Sequence, residues 1–339
     1  MDADAAARRL GLDDQTRDWL ARAAEAGPPE TGAGIPPASG ARRALAPLGL
    51  QPADEDELAA LWPDASWPEE LLWVVGAMYA RLAGDLTRGC TDRPEWPVLV
   101  HAEDARLRCA PIVALAAAAP LVQAAHARSG VPAPVTAATL ADTGRHVAQT
   151  RAMFGRSGLE TATWTALHFR CGLYELGRLQ YEPSRVHADG AARWYTRERA
   201  AALGPEFAYG APLLRIHIPA EGPLDAAGVA ESLARARTFF RTHFGADYPL
   251  AACSSWLLDP QLAQYVPDAS NILAFQRLFT PVDGGAYAPG DADVFRFVFG
   301  MAEVDTGRAP QRTRLERAVV QHLDDGRHWR APTGWLRLD

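Results

Sequence analysis

The spacing of apolar residues changes along this chain, and that change constrains its fold more than any other feature. In "PEELLWVVGAMYARLAGDL" (68–86), Leu72, Val75, Met78, Tyr79 and Leu82 recur at helical spacing. In "LLRIHIP" (213–219) the repeat shortens to two, with Leu214, Ile216 and Ile218 on one side and Arg215 and His217 on the other. Helical patterns fill most of the first half: residues 1–26, then 54–62, 68–86 and 111–128, with a Gly/Pro loop at 27–40 and a break at 129–136. "PVLV" (97–100) reads as a short strand or a buried connector. Beyond 136, helices at 137–155 and from 157 onward give way to strand patterns at 174–186, 213–219, 248–256, 270–282 and 293–300. A last helix, 310–326, puts Leu315, Val319, His322 and Leu323 on one face. This order predicts an α+β chain of two domains, 1–136 mainly helical and 137–339 built around a sheet.

Composition removes several function classes. A chain of 339 residues with 48% hydrophobic and 22% charged content is ordinary for a soluble globular protein. Its net charge of −7 argues against a nucleic-acid partner. Every basic residue among the 34 is arginine. GC-rich codon usage is the ordinary explanation, and an enzyme that acylates amines also gains from having no lysine to modify itself. Cys90, Cys109, Cys171 and Cys253 lack the paired spacing of a zinc or dithiol site, so no metal is expected. The N-terminus is acidic without an apolar signal core, and the apolar run at 110–125 is broken by prolines. A cytoplasmic protein with no membrane span is expected. The chain contains no GxGxxG after a strand, no GxxxxGK[ST], no HExxH and no GxSxG.

Two stretches could carry chemistry. His217 closes a strand just before "PAEGPLD", and a helix follows with Val229, Leu233, Ala236, Phe239 and Phe240 as its buried stripe. A helix N-terminus past a strand end offers backbone N–H groups to a phosphate. Asp225, a natural N-cap, competes for the same donors. A histidine there could act as a general base, because it titrates near neutrality. Glu182 on "GRLQYE" is the other candidate base, or else a solvated edge carboxylate. In "CSSWLLDPQLAQYVPDASN" (253–271), small residues at 251–255 leave room for something to lie against the strand. Asp259 and Pro260 there read as a helix start, with Tyr265 near the helix end.

The combination of "LGRLQ", "HIP…GPL", "SWLLDP" and "SNI..FQ" resembles the two-domain GNAT-like acyltransferases of actinobacteria, across roughly residues 40–300. The resemblance implies a helical N-acyltransferase N-terminal domain packed on a GNAT-like mixed sheet with a splayed strand pair. It implies acyl transfer from a coenzyme A or carrier-protein thioester to an amine of a small molecule or peptide, as in natural-product tailoring. "LLRIHIP" and "AACSSW" would be the arms of the V, and Ile218, Pro219, Ala220, Glu221, Gly222, Pro223 and Leu224 the pyrophosphate loop. His217 or Glu182 would take the ammonium proton, Tyr265 or Ser255 would protonate the sulfur, and Arg178, Gln180, Ser254 and Trp256 would line the substrate. The usual Gln/Arg-x-x-Gly-x-Gly/Ala loop is absent, and a histidine is common in the family where Ser254 stands. That absence favours the rival reading, a non-catalytic binder of acyl thioesters or peptides; a thioesterase ranks below both.

Overall fold

The computed structural model describes residues 1–25, 34–88, 95–186, 194–282 and 288–339. Cys90 and the first half of the 27–40 loop, 27–33, lie outside the described residues. Contacts divide the chain at Tyr174/Glu175, so residues 137–174, assigned above to the second domain, fall with the helical unit.

The first unit holds helices α1 (Ala3–Leu10), α2 (Asp14–Glu25), α3 (Ala41–Leu45), α4 (Pro52–Ala60), α5 (Glu69–Arg88), α6 (Ala105–Arg128), α7 (Ala133–Phe154) and α8 (Ala162–His168). Residues 1–26 form two helices rather than one. Gly11 adopts the left-handed conformation that ends α1, and the Asp13 carboxylate accepts from Thr16 N to start α2. The α6 helix begins earlier than its apolar run suggests, because Asp104 caps it by accepting from Arg106 N, and it continues through Pro111 and Pro120. Its length and composition would suffice to cross a membrane, but 72% of its apolar window is buried inside the protein, as in a core helix. Residues 97–100 are a connector. Charges inside this unit are paired, as buried charges must be. Fully buried Asp85 takes Arg81 Nε at 3.0 Å and Arg170 Nε at 2.9 Å. Burial alone would raise the Asp142 carboxyl; hydrogen bonds from His146 and His168 outweigh it and hold that group far below the usual carboxylate range.

The second unit carries a six-stranded mixed sheet ordered β1 (Tyr174–Glu175), β2 (Gln180–Arg185), β3 (Pro212–His217), β4 (Leu250–Ser254), β8 (Thr333–Arg337) and β5 (Thr280–Pro281). A two-stranded ribbon pairs β6 (Ala288–Pro289) with β7 (Arg330–Ala331). Its helices are α9 (Arg197–Leu203), α10 (Ala226–Phe244), α11 (Asn271–Gln276), α12 (Asp291–Val294) and α13 (Arg314–Asp324). Two strand expectations fail here. Residues 270–282 open with α11, started by the Ser270 hydroxyl accepting from Leu273 N, and form a strand only at Thr280–Pro281. Residues 293–300 form the end of α12 and a π-helical turn, Phe295–Phe299, closed by left-handed Gly300. The alternating phenylalanines that mimic a strand instead stack Phe295 on Phe299, ring centroids 4.9 Å apart.

The sheet has two chemically different faces. Tyr181, Leu214, Ile216, Ala251 and Cys253 share one, as their cross-strand registers require. Helix α10 covers it, with the Tyr181 hydroxyl 3.1 Å from Ser232 Oγ. The other face carries Leu213, Leu250, Ala252 and Trp335, packed with Phe207 and Val186 in an apolar cluster. Gln180, Glu182, Arg215 and His217 also occupy this second face, toward the far end of β3.

Candidate active site

The β3–β4 pair is where the sheet opens. Parallel pairing covers Leu214↔Ala251 and Arg215↔Ala252 and goes no further. Each strand nevertheless continues on its outer side: β3 pairs with β2 as far as His217↔Gln180, and β4 with β8 as far as Ser254↔Thr333. The ends of β3 and β4 therefore stay anchored to their other neighbours while parting from each other. This is the splayed strand pair expected from the sequence.

On the β3 bank of that gap, His217 Nε2 lies 2.9 Å from Glu182 Oε2. Glu182 stands opposite Arg215, whose Nε is 4.0 Å from the same oxygen. The carboxylate is buried, its side chain 7% exposed, while the His217 side chain is 21% exposed. Glu182 is thus no solvated edge carboxylate; it is held under the imidazole. Gln180, also buried, donates from Nε2 to Glu175 Oε2 at 3.0 Å.

The loop beyond β3 is braced from one side. Arg178 donates from Nε to Pro223 O at 2.8 Å, from Nη1 to Pro219 O at 3.2 Å and from Nη2 to Gly222 O at 3.0 Å. One planar guanidinium thereby collects three carbonyls of the 219–223 segment. Gly222 has φ +77°, which a side chain would strain. Pro219 and Leu224 are buried, and residues 220–223 between them are exposed. At the start of α10 the Asp225 carboxylate accepts from Gly228 N at 2.7 Å, so the competition for helix N-terminal donors is real.

On the β4 bank, Ser254 Oγ lies 2.7 Å from Thr333 Oγ1. Ser255 caps the short helical turn that follows, accepting from Leu257 N at 3.1 Å, and Trp256 is buried. Asp259 accepts from Gln261 N and starts the 3-10 helix Pro260–Gln264, with Tyr265 at its end. The Tyr265 hydroxyl is 2.9 Å from His322 Nδ1 and also receives a hydrogen bond from Arg327. Its ring packs beside His322 and Trp329 in a separate apolar cluster. The structure thus brings His217 and Glu182 together and sets Arg178 against the loop. It ties Tyr265 to His322, 57 residues further along the chain. The Thr333 hydroxyl was missed as well; the clue was the alternation in "PTGWLRL" at the C-terminus.

Cys253 sits at the gap but on the α10 face, 1% exposed, and burial pushes its thiol up to about 12. A thiol so placed carries no thiolate at neutral pH and is a poor nucleophile. Among the described residues no cluster of three or more His, Cys, Asp or Glu could hold a metal ion.

Comparison with known proteins identifies both domains. The profile of an N-acyltransferase N-terminal domain matches residues 40–171, and that of a GNAT-like C-terminal domain matches residues 173–336. A search of curated proteins finds no match. Solved structures of an acyltransferase with decanoyl-CoA and teicoplanin (TM-score 0.85) and of an acyltransferase mutant with octanoyl-CoA (TM-score 0.83) are similar to it. A third similar structure holds CoA and 10C-teicoplanin (TM-score 0.84). Each is 32% identical over 100% of both chains. With its domain pair, its opened sheet and full-length similarity of this degree, the chain belongs to the GNAT-like acyltransferases that carry an N-acyltransferase N-terminal domain.

Proposed function

We propose that this acyltransferase moves a medium-chain acyl group from a coenzyme A thioester to a primary amine of a glycopeptide-like acceptor, by direct attack in a ternary complex. The observation that carries the reading is the parting of β3 from β4 immediately beside the His217–Glu182 pair. An extended thioester arm needs such a break, because a zipped ladder offers its N–H and C=O groups only to the neighbouring strand. The donor and acceptor classes come from the similar structures, which hold decanoyl-CoA, octanoyl-CoA and teicoplanin.

In this mechanism Glu182 accepts from His217 Nε2–H, which leaves Nδ1 as the basic nitrogen. His217 removes a proton from the acceptor amine as its nitrogen attacks the thioester carbonyl. The buried carboxylate stabilises the imidazolium that forms. A backbone N–H at 217–218 polarises the carbonyl oxygen; Pro219 has none to offer. The C–S bond then breaks, giving amide and free thiol. Residues 218–224, braced by Arg178, hold the pyrophosphate, and Gln180 and Trp256 shape the acceptor side. Inert, buried Cys253 supports direct transfer over an acyl-enzyme route.

Mass spectrometry of the purified protein with a panel of acyl-CoAs and amines tests the reading. Acylated amine forming faster than free acid supports it. Free acid alone would make the protein a thioesterase, and retained thioester without turnover would make it a binder.

A further inference from the structure

Proton removal accounts for one bank of the gap; the other bank also carries polar groups. Continuing the parallel register of Leu214↔Ala251 and Arg215↔Ala252 places Ser254 level with His217 across the opening. Alternation puts both on one face, with Ala252 and Arg215 behind them. Ser254 is exposed, and its Oγ lies 2.7 Å from Thr333 Oγ1 on β8, the last pair of that ladder. Three other hydroxyls are engaged elsewhere. Tyr181 bonds Ser232 on the opposite face, Ser255 caps Leu257, and Tyr265 is taken by His322 and Arg327.

We infer that the Ser254–Thr333 hydroxyl pair is a catalytic donor, with Ser254 hydrogen-bonding the sulfur as the C–S bond breaks and Thr333 orienting it. This rests on the acyl-transfer reading above and assigns the sulfur side of the same site. The step balances without a further reactant. The amine nitrogen forms the C–N bond, its proton passes to His217, the sulfur leaves with the electron pair of the C–S bond, and water protonates it. Ser254 stays neutral throughout. Its hydroxyl stabilises charge that exists only as the bond breaks, so it acts on turnover more than on binding. Thr333 is a positioning residue: by accepting or donating at 2.7 Å it holds the Ser254 hydroxyl on the sheet face that His217 also occupies.

A serine and a threonine paired across two strands can also be a plain stabilising contact, so the test separates the two. Ser254→Ala, Thr333→Val and Thr333→Ser are assayed with decanoyl-CoA and a glycopeptide amine. They are assayed again with decanoyl thioesters of N-acetylcysteamine and thiophenol. Ser254→Ala is expected to lower kcat about 10²-fold with decanoyl-CoA while KM changes less than about threefold. The loss shrinks with thiophenol, whose more acidic thiol needs little help to leave, and persists with N-acetylcysteamine. Thr333→Val shows an intermediate loss, and Thr333→Ser restores the rate. Equal losses with both model thioesters, a kcat for Ser254→Ala within about twofold of the parent, or a Thr333→Ser variant as slow as Thr333→Val would each overturn the assignment. If Ser254→Ala does not fold, the Thr333 pair and the leaving-group comparison decide it. Absence of transfer by the parent enzyme is a different result and removes the underlying reading instead.

Discussion

His217 and Glu182 meet diagonally across β2 and β3, Nε2 to Oε2 at 2.9 Å, although the residues directly opposite them are Gln180 and Arg215. That geometry buries the carboxylate and leaves the imidazole partly exposed, on the strand whose pairing with β4 stops at Arg215. His217→Ala, which removes the proposed base, should lower kcat/KM for acyl transfer about 10²- to 10⁴-fold. Glu182→Gln keeps the shape but loses the charge that stabilises the imidazolium, so a smaller loss of kcat is expected. Steady-state rates at saturating acyl-CoA check both. Rates within twofold of the parent in both variants would remove the pair from the mechanism.

Arg178 tests the loop. Its three bonds to Pro219, Gly222 and Pro223 hold the segment that follows β3. Arg178→Ala is expected to raise KM for acyl-CoA roughly tenfold, about 1.4 kcal/mol of binding, with kcat nearly unchanged. Arg178→Lys recovers little, because a single ammonium cannot reproduce the planar fork. Titration of CoA by calorimetry gives the same comparison without turnover.

The cysteines give a third prediction. Burial pushes Cys253 up to about 12 and Cys109 and Cys171 each up to about 11. Iodoacetamide at neutral pH should therefore leave these three unmodified in the folded protein, as peptide mass mapping would show. Cys253→Ala should retain transfer activity within about twofold, as the proposed direct transfer requires.

Acid stability is set partly in the helical unit. His126 is 1% exposed, bonded through Nδ1 to Thr136 Oγ1 at 3.0 Å and packed against Tyr174. Burial lowers it from 6.5 to about 4. The folded state favours the neutral ring, so the unfolded chain binds the extra proton between those values. Stability from this residue is complete above 6.5 and is lost as pH falls toward about 4. The loss is of order 3 kcal/mol. Urea unfolding followed across that window should show the decline, and His126→Phe should flatten it.

How much of this was legible beforehand varies by element. The β3 strand, the loop and α10 read clearly, because period-two alternation, Gly/Pro punctuation and the Asp225 cap all agree. The His217–Glu182 contact did not, since it joins residues 35 apart in sequence and depends on the β2–β3 register. Residues 270–282 misled because the apolar content of "NILAF" suits helix and strand alike; the Ser270 cap was the deciding signal. The C-terminal strand β8 was overlooked although it sits between β4 and β5, because its alternation spans only five residues. Overlooking it hid Thr333, the partner of Ser254 on the β4 bank.

The most direct measurement is a crystal structure with a non-hydrolysable thioether analogue of decanoyl-CoA. The account predicts sulfur density between β3 and β4, level with His217 and Ser254, and pyrophosphate against the 218–224 loop. A thioether bound elsewhere, or β3 and β4 hydrogen-bonded past Arg215 and Ala252 with the ligand outside, would contradict it.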